Sequence, residues 1–315
     1  DLIHAETELQ REQAANLVQG HASKYYENLR EKLVKSLSYI EAQIDFAEDD
    51  LPGSVLKEVQ KSIKQVHTDI KQILEDQKVG EKIRDGFRIS IIGDVNAGKS
   101  SLLNLLAKRD AAIVSEEEGT TRDVIETYLN IDGYPVILAD TAGIRKAKNK
   151  VEKEGIKRAI KKAKEADLTL VMIDVSKKTI NKDVKKLINK DCILVFNKSD
   201  LSKKTPKNEF NKNDQILISV KNSKNIDRLI KIIKEKLSKK FMKANNILVT
   251  RERHRAKLNA ALKEIEKFLK KDQKKEIETA AEDLRLATRH LGSIVGKVDV
   301  EEILGSIFQD FCIGK

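Results

Sequence analysis

The run Gly93-Asp94-Val95-Asn96-Ala97-Gly98-Lys99-Ser100 frames four residues between two glycines and closes on a lysine followed by a hydroxyl. Residues of these types fit one task. The glycines let backbone N–H groups close around an anion at a helix N-terminus. The lysine reaches the outer phosphates of a nucleoside triphosphate, and the Ser100 hydroxyl ligates magnesium. Asn96, Ala97 and Ser101 complete the stretch that meets the phosphates. The run follows a β-branched strand at 89–92 and precedes a helix at 101–106, the setting that this pattern requires. The competing reading is a strand-to-helix turn that is rich in glycine by chance.

Three further stretches follow in the expected order. Asp140-Thr141-Ala142-Gly143 ends a second apolar strand; Asp140 is expected to hold the metal through a water, and the Gly143 amide to sense the γ-phosphate. Asn197-Lys198-Ser199-Asp200 ends another strand. Its closing carboxylate would accept from both N1 and N2 of guanine, a donor pair that adenine lacks. Ser219-Val220-Lys221 follows the next strand and would close over the base. Any one of these could be an ordinary surface turn, but four in order point to binding and hydrolysis of GTP.

Between the first two motifs lies Ser115-Glu116-Glu117-Glu118-Gly119-Thr120-Thr121. A threonine here completes the magnesium shell when γ-phosphate is present, which makes the loop a switch. Thr121 is the first choice and Thr120 the fallback; the glutamates also read as a solvated loop. Ile144 stands where Ras-like proteins place a glutamine. An aliphatic side chain cannot orient a water, so that role passes to Glu152. The other reading of Glu152 is a surface residue that starts a helix at 152–164 and is favoured there by the helix dipole.

The elements that must hold these groups are legible in the periodicity. Short runs rich in β-branched residues at 89–92, 136–139, 168–173, 193–196 and 216–218 alternate with helical stretches, predicting a mostly parallel sheet wrapped by helices. Asp132-Gly133 predicts a hairpin turn. On both sides the rhythm becomes purely helical. Leu29, Leu33, Leu37, Ile40 and Ile44 form one stripe, and Val55, Val59, Ile63, Val66, Ile70 and Ile73 a second, with Ser54 a plausible cap. Leu258, Leu262, Ile265 and Leu269 form a third, and 275–293 a further helix. Neither flank holds a convincing core alone. The economical arrangement is an α/β P-loop domain at 87–243, Ras-like, inserted into one helical bundle made of 1–86 and 244–315.

Composition excludes little. The chain carries 61 basic and 50 acidic side chains, net +11, and the excess lies in the middle segment. Lysine scattered among Asn and Ile reads as coding bias as readily as a nucleic-acid groove. No run of about 18 apolar residues offers a membrane span. The two cysteines make no disulfide framework, and a reducing cytoplasm is expected. Two signals are rejected. Gly292 to Lys297 mimics a phosphate loop but is one residue short, and Cys312 has prenylation spacing with an unsuitable terminal Lys315. The chain begins at Asp1 without a Met and is expected to be a piece of a longer protein.

Along its whole length the sequence resembles the MnmE (TrmE) family of tRNA-modification GTPases. The resemblance is carried by the motifs above, by Glu282-Asp283-Leu284-Arg285-Leu286-Ala287, and by Glu302-Ile303-Leu304-Gly305-Ser306-Ile307-Phe308 ahead of the terminal Phe311-Cys312-Ile313-Gly314-Lys315. It implies an FAD-binding partner protein, with which such proteins modify the wobble uridine of certain tRNAs. It implies a potassium ion in place of an arginine finger, held by the Asn96 side chain and by carbonyls of Ser115, Glu117 and Thr120. It implies that Glu152 orients the water, that GTPase domains pair on binding GTP, and that Cys312 has a role in modification, although a small residue under a helix end fits as well. The family's amino-terminal domain, which binds a formyl-tetrahydrofolate, has no counterpart here; Lys315 would approach that folate pocket. The alternative is a related ribosome-assembly GTPase, for which an RNA-binding appendage after 243 would be expected.

Overall fold

The computed structural model describes residues 1–45, 54–76, 78–109, 126–140, 165–177, 180–186, 188–189, 191–202, 214–241, 247–272 and 275–297. Within them the order is α1 (Glu8–Val18), α2 (His21–Asp45), α3 (Ser54–Leu74), α4 (Val79–Asp85), β1 (Phe87–Gly93), α5 (Lys99–Arg109), β2 (Glu126–Ile131) and β3 (Tyr134–Asp140). There follow β4 (Leu168–Asp174), α6 (Lys182–Lys186), β5 (Cys192–Asn197), β6 (Asp214–Leu217), α7 (Ile226–Phe241), α8 (Glu252–Lys270) and α9 (Ile277–Val295). The chain divides into two compact units, 1–12 with 82–245 and 13–81 with 246–315.

The first unit is built on a six-stranded sheet in the order β2-β3-β1-β4-β5-β6. All neighbours run parallel except β2 with β3, which form the hairpin expected at Asp132-Gly133; both turn residues have positive φ. The five apolar runs all form strands. Each of β4 and β5 is buried along its full length, because a parallel sheet flanked by helices excludes water from both faces. Register sets Ile91 opposite Asp140 and Gly93 opposite Met172. The chain therefore leaves β1, β3, β4 and β5 at the same edge, the edge at which open parallel sheets hold ligands.

The second unit is a bundle of α2, α3, α8 and α9. Its core holds Tyr26, Leu29, Leu33, Leu37 and Ile40 from α2, and Val59, Ile63, Val66, Ile70 and Ile73 from α3. From α8 come Leu258, Ala261, Ile265 and Phe268, and from α9 Ala280, Leu284, Ala287 and Leu291. The α8 stripe is rotated slightly from the expected one. Ala261 and Phe268 are fully buried, while Leu262 and Leu269 pack only partly against the core. The decoy run at Gly292 is the end of α9: Gly296 is left-handed and Lys297 N–H donates to the Gly292 carbonyl at 3.0 Å.

One buried cation of this unit is enclosed by acids and a carbonyl. Arg255 of α8 donates from Nε to Glu81 Oε1 at 2.5 Å and from Nη2 to Glu81 Oε2 at 2.9 Å. It also donates from Nη2 to Asp76 Oδ1 at 2.7 Å and from Nη1 to the Leu74 carbonyl at 3.1 Å. Burial opposes the guanidinium charge, and the bonds to Glu81 and Asp76 outweigh it, so its pKa moves up.

Candidate nucleotide site

Residues 93–98 leave β1 and enter α5 through a loop that only its sequence allows. Gly98 has φ +99, and a Cβ there would lie 2.4 Å from Asn197 Nδ2. Gly93 has φ +153, and a Cβ would lie 2.3 Å from the Met172 carbonyl oxygen. Both glycines are needed for conformation and for room. Asn96 is also left-handed, φ +64, which Asn tolerates better than most residues. Alternating hand along a loop turns successive N–H groups inward, the arrangement that cradles anions. Lys99 Nζ donates to the Gly93 and Asp94 carbonyls at 2.9 and 2.8 Å, and Ser100 lies in the first turn of α5.

Asn197, at the end of β5, joins this loop to the next. Its Nδ2 donates to the Ala97 carbonyl at 2.9 Å and its Oδ1 accepts from Val220 N–H at 3.1 Å. It is 3% exposed, so both bonds are shielded from competing water. Asp200 accepts from Ser219 Oγ at 2.6 Å. That hydroxyl bond, helped by Lys221 and Lys198, holds the Asp200 carboxyl below its ordinary pKa. The Ser219 loop is closed by Ser219 N–H to the Lys224 carbonyl at 3.2 Å, the reverse bond at 3.0 Å, and Asn222 N–H to Ser219 Oγ at 3.3 Å.

Asp174, which sequence reasoning missed, completes the cluster. Its Oδ2 accepts from Lys198 Nζ at 2.6 Å, and its Oδ1 from Ser176 Oγ at 2.6 Å and Ser176 N–H at 3.0 Å. Burial pushes this carboxyl up; the bonds from Lys198 and Ser176 outweigh burial and leave it below the ordinary value. Lys198 itself has φ +70, a strained backbone fixed by its surroundings. The only sequence signal was a charged residue ending the otherwise apolar run of β4. Its partner became visible only when β4 and β5 lay side by side, with Asp174 in register with Asn197.

The ion pair carries a testable consequence. Asp174→Asn should weaken GDP and GTP alike by about tenfold, the scale of one charge-assisted bond, while turnover at saturation stays unchanged. Stopped-flow release of a fluorescent nucleotide measures the first and steady-state kinetics the second. A fall in turnover at unchanged affinity would contradict this positioning role.

The structure thus gathers Asn96, Ala97, Gly98, Lys99, Ser100 and Ser101 with Asn197, Lys198, Ser199 and Asp200 and with Ser219, Val220 and Lys221. Asp140 ends β3, beside Ile91 of β1. Ser115, Glu116, Glu117, Glu118, Gly119, Thr120, Thr121, Thr141, Ala142, Gly143, Glu152 with its expected helix at 152–164, Cys312 and Lys315 lie outside the described residues. Among the described residues no group of three or more His, Cys, Asp or Glu could hold a metal. The Ser100 hydroxyl beside a phosphate cradle suits magnesium, which takes a few protein oxygens and fills its shell with phosphate and water.

Known proteins share this sequence throughout. A family model described as the MnmE helical domain matches residues 1–312. The tRNA modification GTPase MnmE of Pelagibacter ubique (strain HTCC1062) is 57% identical over 315 residues, covering 100% of this chain and 71% of that protein. The protein of that name from Rickettsia bellii (strain RML369-C) is 44% identical over 322 residues, with 100% and 71% covered. That of Parvibaculum lavamentivorans is 43% identical over 318 residues, with 100% and 70% covered. With the family model matching almost end to end and relatives this similar, the chain belongs to the MnmE family of tRNA modification GTPases.

Proposed function

We propose that the chain binds GTP with Asn96–Ser101 on the phosphates and Asn197–Asp200 with Ser219–Lys221 on the base, and that it hydrolyses GTP in the service of tRNA modification. The observation that supports this reading is the Asn197 amide, which ties the phosphate loop to the base loop in one buried bonding unit. Lys99 would exchange its loop carbonyls for β- and γ-phosphate oxygens. Magnesium, when bound, neutralises charge on those oxygens, and Ser100 and Thr121 would hold it, Asp140 through a water. The loop 115–121 and Thr141–Ala142–Gly143 would act as switches, Gly143 sensing the γ-phosphate. Glu152 would orient the attacking water, since Ile144 cannot.

The finer reading follows the family resemblance. The GTPase domain is assigned to 87–243 and the helical domain to 1–86 with 244–315, although residues 1–12 and 82–86 group with the sheet unit. Asn96 and the carbonyls of Ser115, Glu117 and Thr120 hold potassium, and two GTPase domains meet when GTP binds. An FAD-binding partner protein shares the modification of the wobble uridine in the cytoplasm, with Cys312 taking part and Lys315 near the family's folate site. Among the described residues no helix is long and apolar enough to cross a membrane.

GTP turnover in potassium against sodium tests the catalytic part. Turnover should be several-fold faster in potassium, Asn96→Ala should erase that difference, and Glu152→Ala should cut turnover about a hundredfold with little change in affinity. Equal rates in both salts, at protein concentrations where dimers form, would refute the potassium site. Near-normal turnover of Glu152→Ala would remove its catalytic assignment.

A further inference from the structure

Helix α3 buries Val59, Ile63, Val66, Ile70 and Ile73 and turns the opposite sector to water. That sector carries Lys57, Lys61, Lys64, Thr68 and Lys71, all exposed. At about 100° per residue the five fall within roughly 80° of the helix surface, and they extend along about 21 Å of its axis.

Among the described residues the lysines of this face are not offset by ion pairs: no carboxylate forms one with Lys57, Lys61, Lys64 or Lys71. Glu58, three before Lys61, and Glu75, four after Lys71, stand one turn from these lysines, yet neither lies within ion-pair distance of them, unlike the pairs Lys267–Glu264, Arg285–Glu282 and Arg11–Glu8 at the same spacing. The nearest acid across α3, Asp69, is taken by Gln65 at 2.8 Å and by Lys32 at 3.8 Å. Lys57 and Lys61 stand four apart, and Lys61 and Lys64 three apart, so like charges face each other and weaken the helix.

We infer that this face of α3 binds the sugar–phosphate backbone of a structured RNA, and the inference rests on the tRNA reading above. Lysines are flexible point charges suited to phosphates without regard to base sequence. Gln65, whose amide donates to Asp69, keeps its side-chain carbonyl for a ribose 2′-hydroxyl. An anionic membrane fits less well, because the apolar side of α3 is occupied by the bundle core and none of it is left to enter lipid.

The test uses the whole chain and a fluorescently labelled, unmodified tRNA, titrated at several salt concentrations. The parent is compared with the triple variant Lys57→Gln, Lys61→Gln, Lys64→Gln and with a charge-matched control, Lys257→Gln, Lys263→Gln, Lys270→Gln on α8. Affinity should fall tenfold or more in the α3 variant, with the salt slope reduced by about two to three, and less than threefold in the control. GTP turnover should be unchanged in both. Equal losses in the two triples, or parent-like binding by the α3 triple, would overturn the surface and leave the tRNA reading standing. Failure of the parent to bind tRNA would overturn both.

Discussion

Asp200→Asn should lower GTP affinity by about a thousandfold and make xanthosine triphosphate the better substrate. A carboxylate offers acceptors only, and guanine presents two donors, N1–H and the 2-amino group. An asparagine amide aims a donor at one of them, so two donors face each other, a loss far larger than that of a missing contact. Xanthine carries an acceptor where guanine has the amino group, so the same substitution restores complementarity. The structure adds a pH signature. The Ser219 hydroxyl holds the Asp200 carboxyl below its ordinary value. A depressed folded-state pKa means that the charged form persists above the ordinary value and is lost only as pH falls through the lowered one. The contribution of Asp200 to GTP affinity should therefore persist as pH falls through the ordinary aspartate value, so the ratio of parent to variant affinity changes only below it. Competition binding with both nucleotides across pH measures this; unchanged GTP affinity in the variant would remove Asp200 from the base.

The largest stability effect is expected at Arg255. Its guanidinium is 9% exposed and lies between Glu81 and Asp76, themselves 10% and 9% exposed. Arg255→Met removes the cation and leaves two carboxylates facing each other in a poorly solvated place. Breaking such a buried pair costs about 3–5 kcal/mol, far more than the intact pair contributes over an apolar replacement. For a unit of this size the melting temperature should fall on the order of 10 °C. The double variant Arg255→Met, Glu81→Leu should recover part of the loss, because it removes one of the stranded charges. Thermal denaturation followed by helical signal reads both; a shift of a degree or two in the single variant would show that the cluster is solvated and dispensable.

These two sites mark the boundary of what the sequence disclosed. The phosphate loop, the Asn197–Asp200 stretch and the strands that carry them were legible because each is contiguous and each strand is an unbroken apolar run between turn residues. The hairpin at Asp132-Gly133 was legible for the same local reason. Asp174 and Arg255 were not. The first acts on Lys198, 24 positions away, across a parallel strand pair. The second meets Glu81 at a separation of 174. Neither bears a local pattern, since an aspartate ending a strand and an arginine on a helix are common wherever chains are exposed. On α8 the stripe was read one notch too far round, because Ala261 was too small to weigh as core and Leu262 and Leu269 too apolar to leave out. Packing decided between them.

The helical bundle has a consequence for how the chain is made. Its core needs α2 and α3 together with α8 and α9, and residues 75–251 are translated between them. At about 5–20 residues per second, the ribosome takes on the order of ten to thirty seconds to cross that interval. Throughout it Val59, Ile63, Val66, Ile70 and Ile73 have no partners on α8 and α9 to pack against. The sheet unit, whose strands arrive almost in succession, can meanwhile close. Helices α2 and α3 are therefore finished only once α8 and α9 have emerged, and across that interval the nascent chain carries an unfinished apolar surface, a standing invitation to chaperones and to neighbouring chains on the same message.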